Sequence, residues 1–236
     1  MNVLIACEES QTICKEFRKR GHNAYSCDIL ECSGGHPEWH FKQDAFEVIE
    51  GKGGSLQNGK QYYLPEGEEW DLLIAHPPCT YLAVSGARWM YHPDDSNLPF
   101  EQRREHPNHI GRRKKQEEAI QFFLRFTKTG IKHWAIENPV GVISTHYREP
   151  DQIIQPYWFG DSASKKTCLW LHNLPELKPT NMVSPGERVV LKSGKTMPKW
   201  YSDAFGLPAE ERQKIRSKTF QGIAEAIADQ WGNIDN

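Results

Sequence analysis

At 236 residues, 38% of them hydrophobic and 25% charged, the chain is long enough for one substantial α/β domain and too short for two. A formal net charge of -2 excludes a globally cationic protein, so any contact with a polyanion must come from local clusters of Lys and Arg. No stretch approaches the roughly 20 apolar residues of a membrane span, the N-terminus runs straight into a strand, and six scattered cysteines fit reduced thiols in a cytoplasmic protein better than a disulfide framework.

Val3-Leu4-Ile5-Ala6 reads as a buried strand. Ser10 is expected to cap a helix whose Ile13 and Phe17 share a face and which stops at Gly21. A short second strand runs from Asn23 to Cys27 and ends at Asp28, and a stronger one runs from Trp70 to Ala75. This β-α-β order predicts a parallel sheet. The polar stretches 50–69 and 91–115 carry Gly or Pro and read as loops. Ile120, Phe123 and Phe126 recur at helical spacing, Gly130 ends that helix, and a strand resumes at His133–Ile136. Thr167–Leu171 is a further strand, and Arg188–Lys195 predicts half of a hairpin turning at Ser193-Gly194. Phe220, Ile223, Ala224, Ile227, Ala228 and Trp231 form the single apolar face of a C-terminal helix that packs back on the sheet. The expected division is a core over 1–172, a small insertion over 173–217 and a returning helix over 218–236.

Ligands of a doubly wound sheet bind where its strands end. After the first strand comes Cys7-Glu8-Glu9-Ser10-Gln11, opening a helix whose N-terminus can receive a carboxylate. Asp28, followed by Ile29, ends the second strand, where an acid can bind ribose hydroxyls. Without a Gly-rich fingerprint, the first turn reads equally well as an ordinary strand-to-helix loop. The strand of Trp70–Ala75 ends in His76-Pro77-Pro78-Cys79-Thr80, and the two prolines stiffen the chain where the thiol is presented. A buried, inert cysteine is the alternative. Ile136-Glu137-Asn138-Pro139 delivers a carboxylate in the same way. A thiol and a carboxyl on neighbouring strand ends are what attack on C6 of a pyrimidine and engagement of its N3 require, the carboxyl staying protonated or sharing its proton with N3.

Two further clusters stand out. Beyond Cys79, Arg88, Trp89, Arg103, Arg104, Arg112, Arg113, Lys114 and Lys115 interleave positive charge with an aromatic, a pattern suited to nucleic acid. Glu101, Glu105, Glu117 and Glu118 interrupt it, as in a solvated loop. Cys27, Cys32, His36 and His40 have the spacing C-x4-C-x3-H-x3-H of a tetrahedral zinc site, which competes with a flexible cofactor-side loop at Ser33-Gly34-Gly35.

The two strand ends resemble those of the S-adenosyl-L-methionine-dependent DNA cytosine-5 methyltransferases, and most closely the short methyltransferase-like proteins of phages and prophages. His76-Pro77-Pro78-Cys79 is similar to that family's Pro-Cys nucleophile motif and Glu137-Asn138-Pro139-Val140 to its Glu-Asn-Val motif. The resemblance covers most of the chain and implies a Rossmann-like methyltransferase sheet in the cytoplasm of a bacterium or phage-infected cell. It implies catalysis by Cys79 and Glu137, with S-adenosyl-L-methionine held by Cys7, Glu8, Glu9, Ser10, Asp28, Ile29, Asp44, Pro77 and Gly222. It also implies a DNA substrate, read as duplex, with the flipped target held by Pro78, Thr80, Arg88, Asn138, Lys165 and Lys166. Lys218–Ala224 resembles the C-terminal motif that completes the cofactor pocket. Lys165 and Lys166 stand where the family has arginines, and the 173–217 segment is too small for a full target-recognition domain. A free nucleotide, a single strand or RNA therefore stays open as substrate, as does a binding protein that has lost turnover.

Overall fold

A computed structural model describes residues 1–234, whose longest strands join in one seven-stranded sheet. In chain order the elements begin with β1 (Asn2–Ala6), α1 (Thr12–Lys19), β2 (Asn23–Asp28), β3 (His40–Lys42), α2 (Ala45–Glu50), β4 (Gly53–Ser55), β5 (Gln61–Tyr63) and β6 (Leu72–Ala75). They continue with α3 (Arg112–Phe126), β7 (His133–Pro139), α4 (Ile143–His146), β8 (Gln152–Ile154) and β9 (Thr167–His172). The last are β10 (Arg188–Val190), β11 (Thr196–Pro198), α5 (Lys199–Asp203), α6 (Ala209–Ser217) and α7 (Gln221–Trp231).

Across the sheet the order is β3-β2-β1-β6-β7-β9-β8. The strands from β3 to β7 run parallel, and β9 runs antiparallel to both of its neighbours. The parallel part follows the order of a Rossmann-like nucleotide-binding sheet, whose direction of winding switches between β1 and β6. Its central strands are apolar runs because helices cover both faces. Alternate residues divide between two cores. Leu4, Leu73 and Ile136 face Phe46, Ile120, Phe123 and Phe126 of α2 and α3. Val3, Ile5, Leu72 and Ile74 face Ile13 and Phe17 of α1 and Ile223, Ile227 and Trp231 of α7. The C-terminal helix thus docks on the sheet as its periodicity predicts. Among the described residues no helix is long and apolar enough to cross a membrane.

Several elements differ from expectation. The stretch 50–69 is not a plain loop but contains the β4–β5 hairpin, anchored where Tyr62 stacks on Tyr25 with centroids 4.3 Å apart. The stretch 91–115 folds back on itself through short helical turns, and α3 begins within it at Arg112. β3 and β8, of three residues each, form the sheet's outer strands. The insertion holds the β10–β11 hairpin, turned at Ser193-Gly194 as predicted, with Leu191 N donating to Lys195 O at 2.8 Å.

Candidate active site

The loop that follows β6 is fixed at both ends. His76 N donates to Ala6 O at 3.0 Å, extending the β1–β6 ladder by one rung, and the Cys79 carbonyl accepts from Leu82 N and Ala83 N, each at 3.0 Å. The β6–β7 register pairs Ala75 with Ile136, so the next residues, His76 and Glu137, stand level. His76 Nδ1 lies 3.3 Å from Glu137 Oε2. Asn138, 1% exposed, donates from Nδ2 to the Pro77 carbonyl at 2.8 Å. Its side chain therefore ties the two strand ends together rather than reaching outward to a substrate. Pro77 is buried, Pro78 and Thr80 are exposed, and Cys79 lies half-buried between them.

Charge couples the two catalytic candidates. Burial pushes the Cys79 thiol above its ordinary value, the Glu137 carboxylate adds to the rise, and Lys165 and Arg216 oppose it. Burial also works to raise Glu137, but the His76 hydrogen bond and the charges of Lys165 and His76 outweigh it and hold the carboxyl below the usual range. A carboxyl held low favours its ionised form in the resting site, where the sequence alone allows one that stays protonated or shares its proton with N3. Glu137 and His76 border a cavity of about 20 Å3, also lined by Phe220 and Ile223, with room for about one water.

The first turn departs from its expected capping. Ser10 does not cap α1; its hydroxyl lies 3.0 Å from Thr12 Oγ1. Gln11, at φ +57°, swings the chain so that the Glu8 carboxylate accepts from Ile13 N at 2.6 Å and Cys14 N at 3.2 Å. Glu8 thus occupies amides that the helix start would otherwise offer to a ligand. It is 4% exposed, and burial raises its carboxyl to about 7 against the pull of His76 and those two amides. Cys7, at φ +58°, likewise takes a left-handed conformation that glycine reaches without penalty. The loop keeps part of the backbone path of a Gly-rich turn without its glycines. Glu9 O accepts from Ser33 N at 2.8 Å, and the Glu9 carboxylate accepts from the Ser33 hydroxyl. Gln11 Nε2 donates to His36 O at 2.9 Å, so residues 33–36 lie over the turn.

Cys7, Asp28 and Asp44 share the neighbouring ends of β1, β2 and β3. Burial, then the charges of Asp28, Cys27 and Asp44, push the Cys7 thiol up. Asp28 Oδ1 accepts from Leu30 N at 2.9 Å, and Asp44 caps α2 through Phe46 N at 2.9 Å. Beside Asp28, Ile29 and Leu30 are 72% and 55% exposed, an apolar ledge at the sheet's ligand-binding edge. Gly222 is accounted for by packing: its amide donates to Asp161 Oδ2 at 2.8 Å, and a Cβ there would lie 1.8 Å from Phe159 O.

The zinc spacing does not assemble a site. His40 has both ring nitrogens engaged, Nδ1 at 2.8 Å from Ser26 Oγ and Nε2 at 3.0 Å from Leu30 O. Cys27 is buried with its thiol donating to Gln43 O at 3.3 Å, and His36 stacks on Trp39 with centroids 3.8 Å apart. Among the described residues no group of three or more His, Cys, Asp and Glu could hold a metal.

The basic stretch is largely engaged with itself. Arg104 forks onto Asp95 at 3.0 and 2.7 Å, Arg103 donates to Leu98 O and Ser96 O, and Arg112 donates to Thr80 O at 2.9 Å. Arg88 is exposed and lies over its neighbour Trp89. Lys165 is half-buried beside Glu137, whereas Lys166 is exposed. Beyond Lys165 opens a groove of about 280 Å3, whose lining includes Lys166, Trp200 and Tyr201.

Two contributors, His76 and Arg216, had no role in the sequence reading, and a third, Glu8, was expected at the cofactor rather than as a cap. His76 was visible only as part of a motif, because its contact with Glu137 follows from strand register. Glu8 gave no capping signal, since it lies outside the usual cap position. Arg216 carries no local signature at all and reaches the site through the fold. No family model matches the chain, and a search of curated proteins finds no match.

Proposed function

We propose that the protein is an S-adenosylmethionine-dependent methyltransferase that modifies C5 of cytosine in DNA through a covalent Cys79 adduct. The observation that carries this reading is the β6–β7 pairing, which aims Cys79 and Glu137 at one sheet edge with the carboxylate's charge acting on the thiol. The antiparallel β9 between β7 and β8 departs from the all-parallel dinucleotide sheet and supports the methyltransferase variant that the resemblance implies. The residues at the ends of β1, β2 and β3 suit a nucleoside cofactor, with Asp28 for ribose hydroxyls and the Ile29–Leu30 ledge for an apolar ring face. The filled amides of α1 argue that Glu8 acts as a structural cap there and that the carboxylate of such a cofactor is held by other groups.

In the reaction Cys79 gives up its thiol proton as its sulfur adds to C6, and N3 gains one proton through Glu137, whose ionised form is favoured at rest, so the electrons of the former C5=C6 bond make C5 nucleophilic. The cofactor supplies the electrophilic methyl group that C5 receives. Loss of the C5 proton to water then expels Cys79 from C6 as the thiolate, the double bond re-forms, and the N3 proton returns to Glu137. Asn138 holds the Pro77 carbonyl, and with it the nucleophile loop, in place throughout. Since so many loop arginines are engaged internally, a second reading is C5 modification of a free pyrimidine nucleotide.

The test is transfer of radiolabelled methyl from S-adenosylmethionine to duplex DNA, single-stranded DNA, RNA and dCMP. Cys79→Ala should lower transfer by about a thousandfold or more. Absence of label in every substrate, with folded protein and measurable cofactor binding, would overturn the assignment in favour of a binding protein.

A further inference from the structure

Arg216 is the positive group at the site that neither motif contains. It sits on α6, half-buried, with its guanidinium 4.1 Å from the centroid of the Tyr201 ring and donating to a Tyr201 hydroxyl. Tyr201 lines the groove of about 280 Å3, together with Ser164, Lys165, Lys166, Thr196 and Trp200. Among the described residues no carboxylate pairs with Arg216, Lys165 or Lys166, whereas Arg104 and Arg148 are matched by Asp95 and Asp151. Cations without a salt bridge therefore gather around this groove, with Lys165 among them also acting on Glu137.

Their distribution is asymmetric. Lys165 lines both the cavity beside Glu137 and the Trp200–Tyr201 groove, whereas Arg216 stands at the groove, over its Tyr201. A pyrimidine ring has the same asymmetry. N3 and C6 lie opposite one another, and N1, which carries the sugar, is bonded to C6. With N3 at Glu137 and C6 at Cys79, the glycosidic bond must leave the ring on the Cys79 side, toward the unmatched cations.

We propose that Arg216, oriented by Tyr201 and assisted by Lys165, binds the phosphate ester of the target pyrimidine nucleotide, with the Trp200–Tyr201 groove taking its sugar-phosphate. This inference rests on the base pose of the proposed reaction. It places recognition on the 173–217 insertion and α6 rather than on the arginine-rich stretch after Cys79. A guanidinium that already stacks on a tyrosine is preorganised for forked contact with phosphate, and a lysine in its place would keep the charge but lose the fork.

The test reads the site through Cys79 without requiring turnover. The rate of Cys79 alkylation, followed by peptide mass spectrometry, is compared for anionic iodoacetate and neutral iodoacetamide, alone and with dCMP or deoxycytidine as protectant. In Arg216→Met the iodoacetate-to-iodoacetamide ratio should fall, and protection by dCMP should weaken by about tenfold while protection by deoxycytidine is unchanged. Arg216→Lys should restore the ratio and part of the protection, separating loss of charge from disruption of α6. An unchanged ratio in Arg216→Met, or equal protection of the native protein by dCMP and deoxycytidine, would overturn the site. A single-stranded oligonucleotide with one cytosine, added as a further arm, names the source. Protection stronger than by dCMP with the same Arg216 dependence assigns the phosphate to a strand, and equal protection assigns it to a free nucleotide. Arg216-dependent protection with no methyl transfer to any substrate would leave the phosphate site standing and remove the reaction. Methyl transfer with Arg216-independent protection would do the reverse.

Discussion

Glu8→Gln should make the protein more stable than the native chain above pH 7, with the difference closing near pH 5. Burial raises the Glu8 carboxyl from 4.5 to about 7, so folding favours its protonated form. For an acid whose folded value lies above its unfolded one, the stabilisation is complete below about 4.5 and is lost as pH rises through about 7. At 1.36 kcal/mol per unit that interval corresponds to about 3 kcal/mol, shed by the native protein and not by the variant. Glutamine keeps one acceptor for the two amides that Glu8 now serves, Ile13 N and Cys14 N. Turning an NH2 toward the other amide costs about 1 kcal/mol. Because the native chain has already shed about 1 kcal/mol by pH 5, the expected difference is close to zero there and about 2 kcal/mol in favour of the variant at pH 8. Urea unfolding of both proteins at pH 5, 6, 7 and 8 measures it. Two stability curves that stay parallel across this range would refute the account of Glu8 as a buried, proton-holding cap.

His76→Leu removes the hydrogen bond and charge that hold Glu137 low. Only the Lys165 charge then opposes burial, and the infrared band of the protonated Glu137 carboxyl, identified by difference from Glu137→Gln, should persist to higher pH than in the native protein; a band lost at the same pH would count against the contact. Gly222→Ala would drive a Cβ into the Phe159 backbone at 1.8 Å, which only a shift of α7 can relieve. A cost of about 2 kcal/mol or more is expected, a fall in Tm of roughly 4–8 °C for a chain of this size, and an unchanged Tm would show that the helix is not seated as described.

The strands that sequence reveals are those whose character is set by burial. Val3–Ala6, Leu72–Ala75, His133–Ile136 and Thr167–Leu171 are covered on both faces, so each is a run of mainly apolar residues. His40-Phe41-Lys42 and Gln152-Ile153-Ile154 have no such run; they are strands because β2 and β9 lie beside them, and nothing local says so. Capping failed for a related reason. Ser10 has a suitable side chain, but the left-handed Gln11 redirects the turn and a carboxylate two residues earlier takes the amides. The zinc spacing was misleading because His40 belongs to β3, where Ser26 and Leu30 already use its ring. Cys79 and Glu137 were legible since each follows an apolar strand and is fixed by proline. Their neighbours His76, Lys165 and Arg216 converge through register and tertiary folding, which a linear pattern does not encode.

The brevity of β3 and β8 has a bearing on how the molecule behaves in a crowded solution. Each outer strand offers three residues of backbone, too little unpaired ladder to template a neighbouring copy into edge-to-edge polymer. The long, strongly apolar strands that would be hazardous at a margin are kept in the middle. Lengthening either outer strand by a few β-branched residues would remove that protection, turning a self-contained sheet into one with an adhesive border.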